Sequence, residues 1–298
     1  MKQIVDGAFL ATLETLDLNI RKLMTGQFGG NRRTKAYGSS TEFADFRDYV
    51  PVDDLRRIDW NAFGRFEKLF IKLFIDERQL HHHVYIDTSE SMNYGNPSKG
   101  YTALRIAAAL GFMSVQAMDK VSFFAIGNKG CEDLCHTVVG KEAFYTAANA
   151  LNNVRFSGDT DMHGGIMLNE NPGNGNGISF IISDFLTDND WKGAVDWLLF
   201  HKRQVALIQV LSPDELNPYL NGKVQLLDSE ADDEEDDRHF KLEITRSTLK
   251  AYKDALEYHQ NEIKRFCISR EISFMTVSSD ENTERMFFEK GLEAEVVR

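Results

Sequence analysis

From residue 81 onward the chain alternates short β-prone runs with helix-length segments, and no other feature limits its fold as strongly. The strand-like runs are His83–Asp87, Val121–Gly127, Cys131–Val139, Ile178–Ser183, Val205–Leu211 and Ile272–Val277. Between them lie helix-like stretches at Tyr101–Met118, Lys141–Asn152, Asp161–Leu168 and Trp191–Lys202. Before the last strand, Leu249, Tyr252, Leu256, Ile263 and Phe266 recur on one helical face. Parallel strands need crossover connections, which helices supply, so the pattern predicts an α/β fold: a mainly parallel sheet with helices on both faces.

This domain is expected over 81–298, interrupted by a surface excursion at 212–247. The excursion opens on the turn Ser212-Pro213-Asp214 and carries eight carboxylates in residues 228–237. Such a run repels itself and reads as solvated chain. Residues 1–80 read as an appended N-terminal region. Phe9, Leu13, Leu16, Ile20 and Leu23 form one face of an amphipathic helix, and residues 25–40, rich in Gly, Ser, Thr and Asn, read as a loop. Residues 41–80 mix aromatic and charged side chains without a period.

With 298 residues, 42% of them hydrophobic, the chain buries a core without staples. Its three cysteines lack metal-ligand spacing and read as reduced thiols of a cytoplasmic protein. No signal-peptide pattern is present, and the longest apolar run, Ala103–Met118, is too short for a span and contains Arg105, so no membrane span is expected. A formal net charge of −12 argues against nucleic-acid binding, which needs a positive surface. Arg32, Arg33 and Lys35 lack interleaved aromatics and read as a solvated loop.

The chemistry concentrates at Asp87-Thr88-Ser89-Glu90-Ser91, directly after an apolar strand. In open α/β sheets ligands sit beyond the carboxyl ends of the strands. Hard oxygen donors of this kind suit Mg²⁺. Two further pieces follow: Thr160, in the turn Ser157-Gly158-Asp159-Thr160-Asp161, and Asp184, which ends the strand Ile181-Ile182-Ser183. Asp161 is expected to cap the helix that follows it.

These three pieces, in this order, resemble the von Willebrand factor A-like superfamily and its metal-ion-dependent adhesion site. The resemblance implies that Ser89, Ser91 and Thr160 offer hydroxyls to Mg²⁺, with Mn²⁺ or Ca²⁺ as alternatives, while Asp87 and Asp184 act directly or through water. It further implies an open coordination position that a partner's Asp or Glu carboxylate fills.

A narrower resemblance rests on Glu42-Phe43, Arg47, Tyr49, Asp53-Asp54, Arg56, Ile58-Asp59-Trp60 and Arg65. These are similar to the bacterial family called domain of unknown function number fifty-eight, commonly associated with MoxR-type AAA+ ATPases. Val52 and Ser40 stand where glycines are expected. The resemblance implies a non-enzymatic adaptor or co-chaperone of such an ATPase. The residues themselves point to an Arg–Asp network bracing the front segment, or to a docking surface at Arg56, Asp59 and Trp60.

Two readings compete from other classes. A Mg²⁺-dependent phosphohydrolase would use Asp87 as nucleophile, but needs a carboxylic acid two residues on, where Ser89 stands. A metal-free scaffold is the third reading. His81, His82 and His83 read as ordinary strand histidines, because only alternate ones share a face and no other ligand has the spacing. Gly173, Gly175 and Gly177 lead into a strand rather than a helix, so they form a turn and not a nucleotide loop.

Overall fold

In a computed structural model of the chain, the described residues are 4–15, 43–51, 54–74, 79–128, 130–168, 177–187, 189–218, 222–227, 239–282 and 286. They fall into two compact units, residues 21–79 and the rest of the chain. The glycine-rich loop at 25–40, the acidic run 228–237, Gly173 and Gly175 lie outside the described residues.

The larger unit includes the front helix α1, residues 7–15, where Phe9 and Leu13 are buried. The Asn152 side chain accepts from the amides of Ile4 and Val5, and the Arg105 guanidinium stacks 3.8 Å from the Phe9 ring. The N-terminal region drawn from the sequence therefore contributes this helix to the unit that holds the sheet. Leu16, Ile20 and Leu23 lie outside the described residues.

The smaller unit pairs β1 (Phe43–Asp48) antiparallel with β2 (Phe70–Phe74), with α2 (Trp60–Phe66) between them. Ile58 and Ile71 form its small core, flanked by Tyr49 and Leu69. Asp54 and Asp59 serve as caps: Asp54 accepts from Arg56 N, and Asp59 from Asn61 N and Ala62 N. The ammonium of Lys72 pairs with Asp59 at 3.3 Å. Asp59 is thus buried under its own helix, whereas Trp60 beside it is 63% exposed.

The main sheet has six strands: β3 (His81–Asp87), β4 (Lys120–Gly127), β5 (Gly130–Val138), β6 (Ile178–Ser183), β7 (Gln204–Leu211) and, near the end of the described chain, β10 (Ser273–Ser278). Their order is β10-β7-β6-β3-β4-β5. All neighbours run parallel except β5, which returns antiparallel beside β4. The crossover helices are α3 (Lys99–Gln116), α4 (Gly140–Leu151), α5 (Met162–Met167) and α6 (Trp191–Phe200). This is the expected α/β architecture, a mainly parallel sheet with helices on both faces, with the antiparallel β5 permitted by a tight β4–β5 connection that needs no crossover helix.

Alternation along the strands separates two cores. Tyr85, Phe124 and Ile181 face α5, α6 and a long helix α8 (Arg246–Ser269), meeting Met162, Trp191 and Ile263. On the other face α3 packs closely over β4: a Cβ on Gly111 would run into the Phe123 ring. The excursion contains a short helix α7 (Pro213–Leu216) and an antiparallel hairpin of β8 (Gly222–Leu227) with β9 (His239–Ile244). No helix among the described residues is long and apolar enough to cross a membrane.

Candidate functional site at the carboxyl edge of the sheet

β3 is a central strand, and its last residue, Asp87, is 2% exposed. The chain is fixed immediately afterwards, because Thr88 donates from both its amide and its hydroxyl to the Ile126 carbonyl of β4, at 2.9 and 2.8 Å. Asp87 then organises its own loop. Its Oδ1 accepts from Ser89 N at 3.0 Å, and its Oδ2 accepts from Ser183 Oγ at 2.6 Å. The Ser89 and Ser91 hydroxyls lie 3.0 Å apart. One carboxylate and two hydroxyls are thereby gathered at the strand end, the carboxylate through the Ser89 amide and the hydroxyls through each other.

Thr160 arrives from the loop between α4 and α5. Its hydroxyl donates to the Ile126 carbonyl at 3.4 Å, the same oxygen that anchors Thr88. Two backbone bonds join that loop to the Asp87 loop, Glu90 N to Gly158 O and Ser157 N to Thr88 O. Gly158 has a φ of +69°, a conformation glycine adopts without steric cost, and this lets its carbonyl reach Glu90. Asp161 caps α5, as its position predicts, by accepting from Gly164 N at 2.9 Å.

Asp184 follows β6, the strand beside β3. Its Oδ1 accepts from Leu186 N at 3.0 Å. Its Oδ2 accepts from Lys99 Nζ at 2.6 Å, and the same ammonium donates to Glu215 Oε1 at 2.6 Å. Burial works against the charge of Lys99, but the charges of Asp184 and Glu215 outweigh it and hold Lys99 above its ordinary pKa. Burial also raises the Asp87 carboxyl, to about 6; the Ser183 hydrogen bond opposes this, and the charge of Asp184 adds to it.

All five residues singled out from the sequence therefore belong to loops leaving this one edge. Asp87, Ser89 and Ser91 are joined directly, Thr160 shares an anchoring carbonyl with Thr88, and Asp184 acts on Asp87 through its charge. Sequence reasoning missed Ser183, Lys99 and Glu215. Lys99 carried a signal: a cation in the first turn of a helix opposes the helix dipole, so it needs carboxylates from elsewhere.

Among the described residues no three His, Cys, Asp or Glu side chains gather into a metal-holding group. What the edge offers is a set of hard oxygens, the carboxylates of Asp87 and Asp184 and the hydroxyls of Ser89, Ser91 and Thr160. Such a set fits Mg²⁺, which keeps several waters and needs few carboxylates. A cleft opens beside it, lined by Thr88, Asn128, Asp133, Arg155 and Ser157.

The histidines lie toward the opposite end of β3. His81 contacts Ser122 Oγ at 2.9 Å, His82 contacts Asp119 at 3.3 Å, and His83 contacts the Tyr85 hydroxyl at 3.2 Å. The three cysteines are free thiols; burial pushes Cys131 and Cys267 up to about 12, which leaves both protonated and unreactive at neutral pH.

Strand order and the crossover helices define an α/β protein with a mainly parallel sheet, with the Asp-x-Ser-x-Ser loop at its carboxyl edge. More narrowly, the chain belongs to the family described as "Protein of unknown function DUF58", which it matches over residues 45–262. Uncharacterized proteins of Mycobacterium bovis and Mycobacterium tuberculosis are each 25% identical to it over 238 residues, 76% of this chain and 73% of theirs. Among solved structures, proximal thread matrix protein 1 from the mussel byssus, with a zinc-occupied MIDAS motif, aligns at 15% identity and a TM-score of 0.37. That alignment covers 44% of this chain and 38% of the mussel protein. A von Willebrand factor type A protein from Catenulispora acidiphila aligns at 11% identity and a TM-score of 0.35, over 48% of this chain and 35% of that one.

Proposed function

We propose that this chain is a metal-dependent protein-interaction module, not an enzyme, in which Asp87, Ser89, Ser91, Thr160 and Asp184 hold Mg²⁺ and a partner supplies an Asp or Glu carboxylate. The observation that carries the reading is the hydrogen-bonded series Asp87–Ser89–Ser91 at the end of a central parallel strand, with Asp184 ending the strand beside it. A divalent cation bound there carries more positive charge than Asp87 cancels, and so attracts an anionic side chain. The neighbouring cleft is room for the rest of that partner. Against phosphohydrolase chemistry, position 89 holds a hydroxyl, which does not act as a general acid near neutral pH.

In this reading the partner system is a MoxR-type AAA+ ATPase in the cytoplasm, for which the chain is an adaptor or co-chaperone. Family resemblance supplies that assignment. The test is calorimetric titration of Mg²⁺ and Mn²⁺ into the wild type and Asp87→Ala, with circular dichroism establishing that both are folded. Saturable binding lost in the variant is expected, together with chelator-sensitive capture of the ATPase; a folded Asp87→Ala that keeps metal and partner sinks the reading.

A further inference from the structure

Lys99 is among the largest fully buried side chains, with 1% of its surface exposed. Taking an ammonium out of water is unfavourable, and the N-terminal turn of a helix adds to that cost. Its place is explained only by its partners, Asp184 and Glu215, both 2.6 Å away. Asp184 thus has a donor on each oxygen: Lys99 Nζ on Oδ2 and Leu186 N on Oδ1. Glu215 is itself pinned, since its Oε2 accepts from Ser212 N at 2.7 Å in the capping box of α7.

Resting on the reading of the preceding section, we propose that Lys99 is a positioning residue that keeps Asp184 occupied and partly neutralised, so that the site holds a cation loosely until a carboxylate from outside completes it. The charges make the case. The single charge of Lys99 is shared between Asp184 and Glu215 and so offsets Asp184 in part, while Asp87 has no cation against it among the described residues; a divalent cation beside them faces less than two full carboxylate charges from the five-residue site. Were Asp184 free, two carboxylates would cancel the cation, and the attraction for an acidic partner would fall with its charge. Lys99 therefore exchanges affinity for metal alone against a requirement for the partner's anion.

The experiment is calorimetric titration of Mn²⁺ alone, with no partner present, into four full-length proteins: the wild type, Lys99→Met, Asp184→Asn and Lys99→Met/Asp184→Asn. Methionine keeps the length of the side chain and removes its charge. Lys99→Met is expected to bind Mn²⁺ about tenfold or more tightly than the wild type, because freeing one carboxylate adds at least a tenfold Coulombic gain. Asp184→Asn is expected to bind Mn²⁺ more weakly than the wild type, by less than about tenfold because Oδ2 is already given to Lys99, and the gain of Lys99→Met disappears in the double variant.

Equal or weaker binding by a folded Lys99→Met overturns the proposal while leaving the metal reading intact, as does a gain that persists in the double variant. Binding by Lys99→Met where the wild type binds nothing supports it, whereas no binding by either removes both ideas. Should Lys99→Met fail to fold, Asp184→Asn decides: a loss of about tenfold or more would mean that Asp184 is a direct, unneutralised ligand.

Discussion

The two ends of the main sheet each bury a cation, and they hold it by different chemistry. At the amino end, Arg203 is 2% exposed and donates to Ser179 Oγ at 3.0 Å, to the His81 carbonyl at 2.7 Å and to the Ile178 carbonyl at 3.2 Å. These bonds stitch together the starts of β3, β6 and β7. Burial lowers its pKa to about 10, which still leaves the guanidinium charged. At the carboxyl end Lys99 sits between two carboxylates. A planar guanidinium among oxygens in set directions makes a rigid joint, whereas an ammonium is a point charge that can be redivided between its neighbours. One end is built to stay as it is, and the other has charge left to respond to a ligand.

The sharpest way to break this contrast is Arg203→Met. Removing the guanidinium strands three buried acceptors on β3 and β6, so unfolding free energy should fall by about 3 kcal/mol. Urea denaturation measures this, and Mn²⁺ affinity of the folded variant should be unchanged. A stability loss below about 0.5 kcal/mol would mean that the amino end is no joint at all.

Next in size is the acid response of the amino end. Burial, with the charge of Arg203 adding to it, pushes His83 down to about 2, and its Nε2 is buried without a hydrogen-bond partner among the described residues. A histidine whose folded pKa lies below its unfolded value of about 6.5 contributes stability that is full above pH 6.5 and is lost as pH falls toward the folded value. The expected slope is about 1 kcal/mol per pH unit below 6.5, flattened in His83→Phe. Parallel slopes in the two proteins would remove His83 from the account.

The smallest effect belongs to the carboxyl end, and it has the opposite sign. Asp87 is raised to about 6, so the folded protein binds more protons than the unfolded chain between about pH 3.8 and 6. Its contribution falls as pH rises through that window, and the penalty is fully present above it. Metal-free Asp87→Asn should therefore be more stable than the wild type at pH 8, by about 1 kcal/mol, with no thermal shift on adding Mg²⁺. A less stable variant would show that the Ser89 and Ser183 hydrogen bonds outweigh the burial of charge.

The carboxyl end was the more legible of the two because its parts are local. Asp87, Ser89 and Ser91 lie within five residues of one another after an apolar run, and Asp184 closes another such run, so strand patterning alone puts them at one edge. Ser183 was hidden, since a serine inside a β run reads as ordinary alternation until its hydroxyl is seen on Asp87. Lys99 and Glu215 were hidden by distance, at 85 and 116 residues from Lys99 to its two partners. Arg203 was missed because a basic residue between a helix and a strand reads as a solvated turn. In the smaller unit, the β1–β2 pairing escaped because, among the described residues, its core is little more than Ile58 and Ile71, too small to impose a period on residues 41–80.

Glu215 joins two parts of the chain that the sequence keeps apart: one of its oxygens closes the capping box of α7, and the other receives Lys99. A lineage that loses Glu215 loses a helix start and a counter-ion together, and one that replaces Lys99 leaves the buried Asp184 and the half-buried Glu215 without their shared cation. Positions 99, 184 and 215 are therefore expected to change as a set among descendants of this sequence, while the hairpin that follows Asn217 is free to lengthen, shorten or change its charge.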